Sequence, residues 1–332
     1  LLPLPIIRVW FYDAGMTNND AGAHALFTDF YALTMAQGYW KKHMNRPVVF
    51  DMFFRRNPFN AGFSVLAGTE PLMDAVLAFH LEDTDIAFLA EQGLFEQGFL
   101  DYLKNFRFSG DIYMMDEGSV IFPAEPLVRI HADLIEAQIL EGLILNTVNF
   151  QSLIATKTAR VWLAGNDAPI MEFGLRRAQG HDGAMSATRA AFIGGADGTS
   201  NTLAGKLYGI PVMGTMAHSW IMSFPTELEA FRTYAQLYPS HSVFLIDTYD
   251  TLKSGIKNAI IAGKELTAQG HNFGVRLDSG DIAYLAKEVR KELDAAGLPN
   301  AKITVSNELT EEIIGALVAA NVPIDGWGVG TN

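Results

Sequence analysis

The segment RLDSGD at residues 276–281 brings together side chains that bind anions and cations. It follows the apolar run 273–275, and Arg276 and Asp278 are two residues apart, so on a strand their side chains face the same side. An arginine suits a carboxylate or a phosphate, and an aspartate suits Mg²⁺ or a developing positive charge. The alternative is an internal salt bridge, with Asp281 capping the helix that follows.

The segment GTMAHSW at residues 214–220 places His218 just beyond the apolar run 210–213. A histidine in this position could act as a general base, a metal ligand or a phosphate acceptor. The metal role has little support, because no second histidine lies at ligand spacing. The alternative is a core histidine that is hydrogen-bonded to the backbone.

Two aspartates follow another apolar run, residues 243–246. Asp247 ends this run and Asp250 lies just beyond it. An aspartate at a strand end is well placed to bind ribose hydroxyls or magnesium. Helix capping is the alternative, because Asp and Thr are good N-caps. We expect Asp250 to be the cap and Asp247 to face the ligand.

Several weaker signals accompany these motifs. The glycine-rich segments 194–201 and 326–332 precede helices or chain turns and could cradle a phosphate with backbone N–H groups, although neither contains the Gly-Lys-Ser/Thr of a P-loop. Aromatic rings could stack on a planar ligand, although aromatics lie more often in cores; the candidates are Phe173, Tyr31 and Trp220. Arginine pairs at 55–56 and 176–177 could bind phosphate or simply be solvated.

The elements that would position these residues form a repeating pattern. From residue 168 onward, strand-like runs alternate with helical ones, and this alternation predicts parallel strands joined by right-handed crossovers. The predicted strands centre near residues 171, 192, 212, 245, 275, 304 and 327. Seven strands favour an irregular α/β barrel, and ligands in such folds lie at the carboxyl ends of the strands.

The first half of the chain has a different pattern. Residues 24–46 have helical periodicity, residues 48–54 alternate as in a strand, and residues 132–163 form a long helical stretch with a predicted break at 146–150. The predicted organisation is an unplaced segment at 1–22, an N-terminal α+β domain at 23–145 and the irregular α/β barrel at 146–332.

Composition limits the classes of function. The 332 residues carry a net charge of −13 and are 49% hydrophobic, with no cysteine. The acidic balance disfavours nucleic-acid binding, the lack of cysteine excludes thiolate metal sites and disulfides, and no apolar run is long enough for a membrane span. We expect a cytoplasmic enzyme. The sequence stops in a glycine-rich loop that ought to open a helix, so we also expect more chain to follow in the natural protein.

Five separated motifs, in order, resemble the nicotinate phosphoribosyltransferase family. They are TDFYALTMAQ at 28–37, FFRRNP at 53–58, EFGLRR at 172–177, GTMAHS at 214–219 and RLDSGD at 276–281. The resemblance runs from about residue 24 to the end and leaves residues 1–22 unmatched.

The resemblance implies a reaction in NAD salvage. Nicotinate and 5-phosphoribosyl-1-pyrophosphate give nicotinate mononucleotide and pyrophosphate, and the hydrolysis of ATP to ADP and phosphate is coupled to this step, as in a ligase-type enzyme. It also implies Mg²⁺ as cofactor, an irregular α/β barrel with an α/β domain built from both chain ends, and a homodimer with shared active sites. In the family, a C-terminal segment beyond residue 332 completes the first domain.

The resemblance implies that five residues of this chain surround the pyridine ring of nicotinate. Tyr31 of a neighbouring subunit and Phe173 would sandwich the ring, and Arg276 would pair with the nicotinate carboxylate. Thr215 and Ser219 would lie nearby.

The catalytic assignments follow in the same way. His218 resembles the histidine that ATP phosphorylates in this family. Asp247 and Asp278 resemble the residues that face the ribose and magnesium.

The phosphate assignments come from two parts of the chain. Gly328, Gly330 and Thr331 resemble the loop that binds the 5′-phosphate. Arg55 from the partner subunit and Arg176 would contact phosphates.

Three alternatives remain open at the level of sequence. The nicotinamide-specific relatives share the histidine and the Arg-x-Asp-Ser-Gly-Asp pattern, although FFRRNP and TDFY favour the nicotinate branch. A quinolinate-specific enzyme would need a more basic pocket. A catalytically inactive scaffold would retain the fold, but His218, Arg276 and Asp278 are all present and argue against it.

Overall fold

The computed structural model describes residues 25–330. The predicted segment 1–22 and Thr331 therefore lie outside the described residues. The chain divides into two compact units, Leu1–Thr156 and Lys157–Asn332.

Within residues 25–156, four helices and five short strands precede one long helix, which ends at Ala164. The helices are α1 (Phe30–Lys41), α2 (Thr69–Ala78), α3 (Asp83–Glu91), α4 (Gln97–Lys104) and α5 (Leu134–Ala164). The strands are β1 (Pro47–Met52), β2 (Ser64–Val65), β3 (Asp111–Met114), β4 (Val120–Ile121) and β5 (Val128–Asp133).

The main sheet of the first unit is antiparallel, with strand order β1-β5-β3. Strand β5 alternates between buried and exposed residues, so one of its faces packs on the core while the other does not. Buried side chains from the helices complete that core; the largest include Phe99, Leu72, Leu89 and Leu103.

Helix α5 runs without interruption through residues 146–150, so the predicted break is wrong. Asn and Thr there have low helix propensity, but packing outweighs it. Val148 is fully buried, and the backbone of Gly68 lies so close that a Cβ atom at that glycine would be 2.7 Å from the carbonyl oxygen of Thr147.

The second unit alternates strands and helices. Its strands are β6 (Ile170–Glu172), β7 (Gly198–Thr199), β8 (Val243–Leu245), β9 (Gly274–Leu277), β10 (Lys302–Val305) and β11 (Gly326–Val329). Its helices are α6 (Gly180–Ile193), α7 (Thr202–Tyr208), α8 (His218–Met222), α9 (Glu227–Leu237), α10 (Ile256–Ala268), α11 (Ile282–Ala295) and α12 (Glu311–Ala319). A π-helical turn, Thr251–Gly255, leads into α10.

The six strands of the second unit form one parallel sheet in the order β7-β6-β11-β10-β9-β8. Val212 adds a seventh position through a parallel bridge to Thr199. The sequence predicts an irregular α/β barrel of about seven parallel strands with an N-terminal α+β domain, and the fold class is confirmed as mixed α/β with a parallel sheet. The predicted strand near residue 192 is wrong, because that segment ends α6, and the strand instead lies at Gly198–Thr199.

Two of the predicted helix caps are confirmed. Asp250 accepts hydrogen bonds from the backbone N–H groups of Leu252 and Lys253, and Asp281 accepts one from the N–H of Tyr284. No helix within residues 25–330 is both long and apolar enough to cross a membrane.

Candidate active site

Three neighbouring strands of the parallel sheet end in polar residues that lie at the same edge. Asp247 follows β8, Asp278 follows β9 and Ser306 follows β10. Because β8, β9 and β10 are adjacent and parallel, their carboxyl ends meet. The sheet therefore gathers the predicted aspartates where parallel α/β folds bind their ligands.

The two aspartates are held in one hydrogen-bond network. The backbone N–H of Asp278 donates to Oδ2 of Asp247 at 2.9 Å, and the hydroxyl of Ser279 donates to the same oxygen at 2.5 Å. The hydroxyl of Ser306 donates to Oδ1 of Asp278. Oδ1 of Asp247 is buried and has no hydrogen-bond partner among residues 25–330.

His218 is the first residue of α8 and lies between two of these strand ends. Its Nδ1 is 3.0 Å from the hydroxyl oxygen of Thr248, and its Nε2 is 3.6 Å from Oδ2 of Asp278. The side chains of His218 and Asp278 are 38% and 31% exposed, so a ligand can reach both. His218 is therefore not the backbone-bonded core histidine of the alternative interpretation.

Arg276 lies on β9 with its guanidinium mostly buried. One terminal NH group donates to the hydroxyl of Thr215, and the other donates to the carbonyl oxygen of Met216 at 3.0 Å. Burial lowers the pKa of Arg276 from its ordinary value, while the negative charges of Asp278 and Asp247 act in the opposite direction. Nε of Arg276 is buried without an acceptor in the described part of the chain.

Phe173 directly follows β6 and packs against the glycines of β11. Its backbone N–H donates to the carbonyl oxygen of Val329 at 2.7 Å. A Cβ atom at Gly328 would lie 2.7 Å from the Phe173 ring, and one at Gly330 would lie 2.3 Å from the Phe173 carbonyl carbon. Both glycines are therefore required by the close approach of Phe173, whatever else they bind.

Two other predicted site residues, Arg176 and Ser219, are exposed. Arg176 lies exposed in a single 3-10 turn, Leu175–Arg177, and its positive charge acts on Arg276. Ser219 is exposed in the first turn of α8.

Tyr31 and Arg55 belong to the first unit, and both are exposed there. Burial together with the charge of Glu141 raises the pKa of the Tyr31 hydroxyl. Their assignment to the ring and to phosphate stays a prediction.

Two further residues contribute to the site, although neither has a specific role predicted from the sequence. Thr248 and Ser306 supply the hydroxyl groups that contact His218 and Asp278. Ser306 directly follows β10, and Thr248 lies a short distance beyond the end of β8. That position is the signal by which a sequence search could find them.

The fit to Mg²⁺ can be tested against these side chains. Within residues 25–330, no cluster of three or more His, Cys, Asp or Glu residues could hold a metal ion unaided. Asp247 and Asp278 nevertheless offer two carboxylates at neighbouring strand ends, and Oδ1 of Asp247 is buried with no partner in the described part of the chain. Mg²⁺ is commonly bound by one or two carboxylates together with substrate phosphates, so the pair fits such an ion.

The fold resembles that of a solved enzyme structure. The human nicotinic acid phosphoribosyltransferase superposes with a TM-score of 0.83 at 33% identity, and the match covers 91% of this chain and 72% of the human one. The fold therefore places the chain among the α/β phosphoribosyltransferases.

Sequence comparison then gives the family. Residues 26–149 match the model of the nicotinate phosphoribosyltransferase N-terminal domain, and residues 168–318 match the nicotinate phosphoribosyltransferase family model. The chain belongs to the nicotinate phosphoribosyltransferase family.

Two curated relatives show the extent of the similarity. Nicotinate phosphoribosyltransferase pncB2 of Mycobacterium tuberculosis is 45% identical over 307 residues, and the Bacillus subtilis enzyme is 44% identical over 308 residues. Each match covers 92% of this chain. The chain spans 66% and 63% of the length of these two relatives.

Proposed function

We propose that the protein transfers the phosphoribosyl group of 5-phosphoribosyl-1-pyrophosphate to nicotinate, with release of pyrophosphate. The observation that carries this proposal is the pair of buried polar atoms at neighbouring strand ends, Nε of Arg276 and Oδ1 of Asp247. Buried polar groups without partners are rare and costly in folded proteins. A donor and an acceptor of this kind favour a ligand that carries both an anionic group and hydroxyl groups.

The two substrates match this pair of atoms. The carboxylate of nicotinate would accept from Arg276, whose terminal NH groups are already oriented by Thr215 and Met216. The ribose hydroxyls of the second substrate would lie against Asp247. The bacterial and human relatives are named for the same pyridine acid.

The transfer needs positioning more than acid–base catalysis. The ring nitrogen attacks C1 of the ribose with its own lone pair, and the bond from C1 to the pyrophosphate oxygen breaks. Positive charge develops on the ribose, and the carboxylates of Asp247 and Asp278 would stabilise it from their fixed positions. Phe173 would hold the ring in line with C1.

Two further groups complete the proposed phosphate site. Mg²⁺, held by Asp247 and Asp278 together with substrate oxygens, would neutralise the charge of the departing pyrophosphate. The 5′-phosphate would bind at Gly328 and Gly330 with Thr331 beyond them, and Arg176 would contact a phosphate from the exposed turn.

The coupling to ATP forms the second part of the proposal. The bond from the γ-phosphorus of ATP to its bridging oxygen would break, a P–N bond to His218 would form, and water would later release phosphate. The exposure of the His218 ring and the contacts to Thr248 and Asp278 support this role, because they orient the imidazole at the substrate edge. Ser219, in the same turn, would contact the ligand.

A homodimer with shared sites is the third part of the proposal. Tyr31 is 48% exposed and Arg55 is exposed in the first unit, so both are accessible to another subunit. If sites are shared, a mixture of Tyr31→Ala and His218→Ala subunits, each without ATP-stimulated activity alone, would regain that activity, because hybrid dimers contain one intact site. A mixture that stays inactive would count against shared sites.

The transfer itself is tested by pyrophosphate release with the full-length protein. Nicotinate, nicotinamide and quinolinate are compared as acceptors, each with and without ATP. We expect release with nicotinate, stimulation by ATP, and loss of that stimulation in His218→Ala. Pyrophosphate release with nicotinamide alone would show that the enzyme is specific for nicotinamide. No release with any of the three acceptors would favour an inactive scaffold.

A further inference from the structure

Glu172 is the last residue of β6 and directly precedes the ring-binding candidate Phe173. Its carboxylate is half-buried and accepts three hydrogen bonds. Oε1 accepts from the backbone N–H of Gly174, and Oε2 accepts from the hydroxyls of Thr199 at 2.5 Å and Thr188 at 3.1 Å. None of these three donors is among the candidate ligand-binding residues described above, so the carboxylate has a role other than direct ligand binding.

The two hydroxyl donors are fixed in the interior. Thr188 and Thr199 are each 1% exposed, and Asn201 beside them is 2% exposed. The N–H of Asn201 donates to the hydroxyl oxygen of Thr199 at 2.9 Å, and its side-chain amide donates to that of Thr188 at 3.3 Å. Since both hydroxyl oxygens already accept a hydrogen bond, their protons are directed to Glu172.

The segment that Glu172 holds is packed tightly on its other side. The N–H of Phe173 donates to Val329, and the backbone of Gly330 lies against the Phe173 carbonyl group. A Cβ atom at Gly174 would lie 2.7 Å from Oε1 of Glu172, so a glycine is needed there for the carboxylate to reach the N–H. The turn 173–174 is therefore fixed between Glu172 on one side and β11 on the other.

We propose that Glu172 is a positioning residue that sets the place of the Phe173 ring, and through it the binding of the pyridine substrate. Gly174, Thr188 and Thr199 donate to its carboxylate, so we assign it a positioning role that acts through Phe173. The inference rests on the proposed function, which assigns the pyridine contact to Phe173. Thr188 and Thr199 anchor the carboxylate to α6 and β7.

The kinetic test uses the full-length protein with three variants: Glu172→Ala, Glu172→Gln and Thr199→Val. We expect Glu172→Ala to raise the KM for nicotinate about 10-fold, since a hydrogen bond to a charged group is lost, and to change the KM for phosphoribosyl pyrophosphate less than about 2-fold. Glu172→Gln keeps an acceptor for Gly174 and should recover most of the affinity. Equal rises in both KM values, or no rise for nicotinate, would overturn the proposal.

A second readout does not depend on activity. In amide hydrogen exchange, the Gly174 N–H should exchange about 10-fold faster in Glu172→Ala than in the wild type, because its acceptor is removed. Thr199→Val should show a smaller change in the same direction. Unchanged exchange at Gly174 would overturn the positioning role even if the enzyme proved inactive with nicotinate, so the two proposals fail separately.

Matched controls come from the same unit. Thr267→Val removes a hydroxyl that donates within α10, and Glu292→Gln removes a surface carboxylate that pairs with Lys257. Neither should change the KM for nicotinate or the exchange of Gly174. If they matched the Glu172 variants, the effect would be general destabilisation and the proposal would fall.

Discussion

Ser306 donates its hydroxyl hydrogen to Oδ1 of Asp278, across the carboxyl ends of two adjacent parallel strands. This bond turns the other carboxylate oxygen, Oδ2, toward Nε2 of His218, 3.6 Å away. The orientation of Asp278 is therefore determined from β10 and not only from its own strand. A residue outside the recognisable motifs thus controls one within them.

Substitution of Ser306 by alanine should disorient Asp278 without disturbing the fold. We expect kcat for pyrophosphate release to fall about 10-fold, since one hydrogen bond to a charged group is worth on the order of 1.5–3 kcal/mol. The melting temperature should change little. Ser240→Ala, at an exposed serine, is the control. Wild-type kcat in Ser306→Ala would show that Asp278 does not need this bond.

The guanidinium of Arg276 is held by Thr215 and by Met216, and substitutions can distinguish the loss of one contact from the loss of both. Arg276→Lys removes the planar fork that donates to Thr215 and Met216, and we expect the KM for nicotinate to rise about 100-fold, the equivalent of about 2.7 kcal/mol. Thr215→Val leaves the guanidinium but releases one end, so a rise of about 10-fold is expected. The control is Arg232→Lys, whose guanidinium pairs with Glu265 on the surface. If all these variants had the same KM for nicotinate, the proposal that Arg276 binds the nicotinate carboxylate would be wrong.

Much of the site can be predicted from the sequence, because polar residues directly after apolar runs mark the ends of the strands. Asp247 and Asp278 each follow an apolar run, and in a parallel sheet such runs end at a common edge. The arrangement of adjacent strands is not visible in chain order, since β11 lies between β6 and β10. Contacts that cross between strands, such as Ser306 to Asp278, therefore need the structure.

Short and Ala-rich segments account for the errors. β7 is two residues long, which is too short for any periodicity, and the apolar run near 192 that was predicted as a strand is the end of α6. Ala and Phe there have no periodicity that separates a buried helix from a strand. The break predicted at 146–150 within the long helix is wrong for the opposite reason, because buried packing overrides the weak helix propensity of the polar residues there.

Gly330→Ala should be far more damaging than an alanine at a helical glycine. The new Cβ atom would lie 2.3 Å from the Phe173 carbonyl carbon, which is backbone and cannot move aside. We expect a loss of stability of about 2 kcal/mol or more and a raised KM for nicotinate. Gly315→Ala in α12 meets nothing within 4 Å and should stabilise by about 0.5–1 kcal/mol. Thermal unfolding of both variants measures the contrast, and equal melting temperatures would contradict the packing argument.

Glu227 makes stability depend on pH in a predictable direction. The side chain is 6% exposed, Oε2 accepts from Asn258 at 2.8 Å, and Oε1 has no partner within the described residues. Burial raises its pKa above the ordinary value of 4.5, although hydrogen bonds from Asn258 and Ser254 act in the opposite direction. As pH rises, the unfolded chain therefore loses this proton first, and the free energy of unfolding falls between the unfolded and the folded pKa.

Glu227→Gln removes this titration while keeping the shape of the side chain. We expect the variant to be more stable than the wild type at pH 7, because the neutral amide is buried without the cost of ionisation that raises the pKa of Glu227. Near pH 4, where the wild-type carboxyl is protonated in both states, the two proteins should be nearly equal. Urea denaturation from pH 4 to pH 8 measures the difference. Glu229→Gln, at an exposed position on the same helix, is the control, and a stability gap that does not widen with pH would show that the Glu227 carboxyl does not titrate as its burial requires.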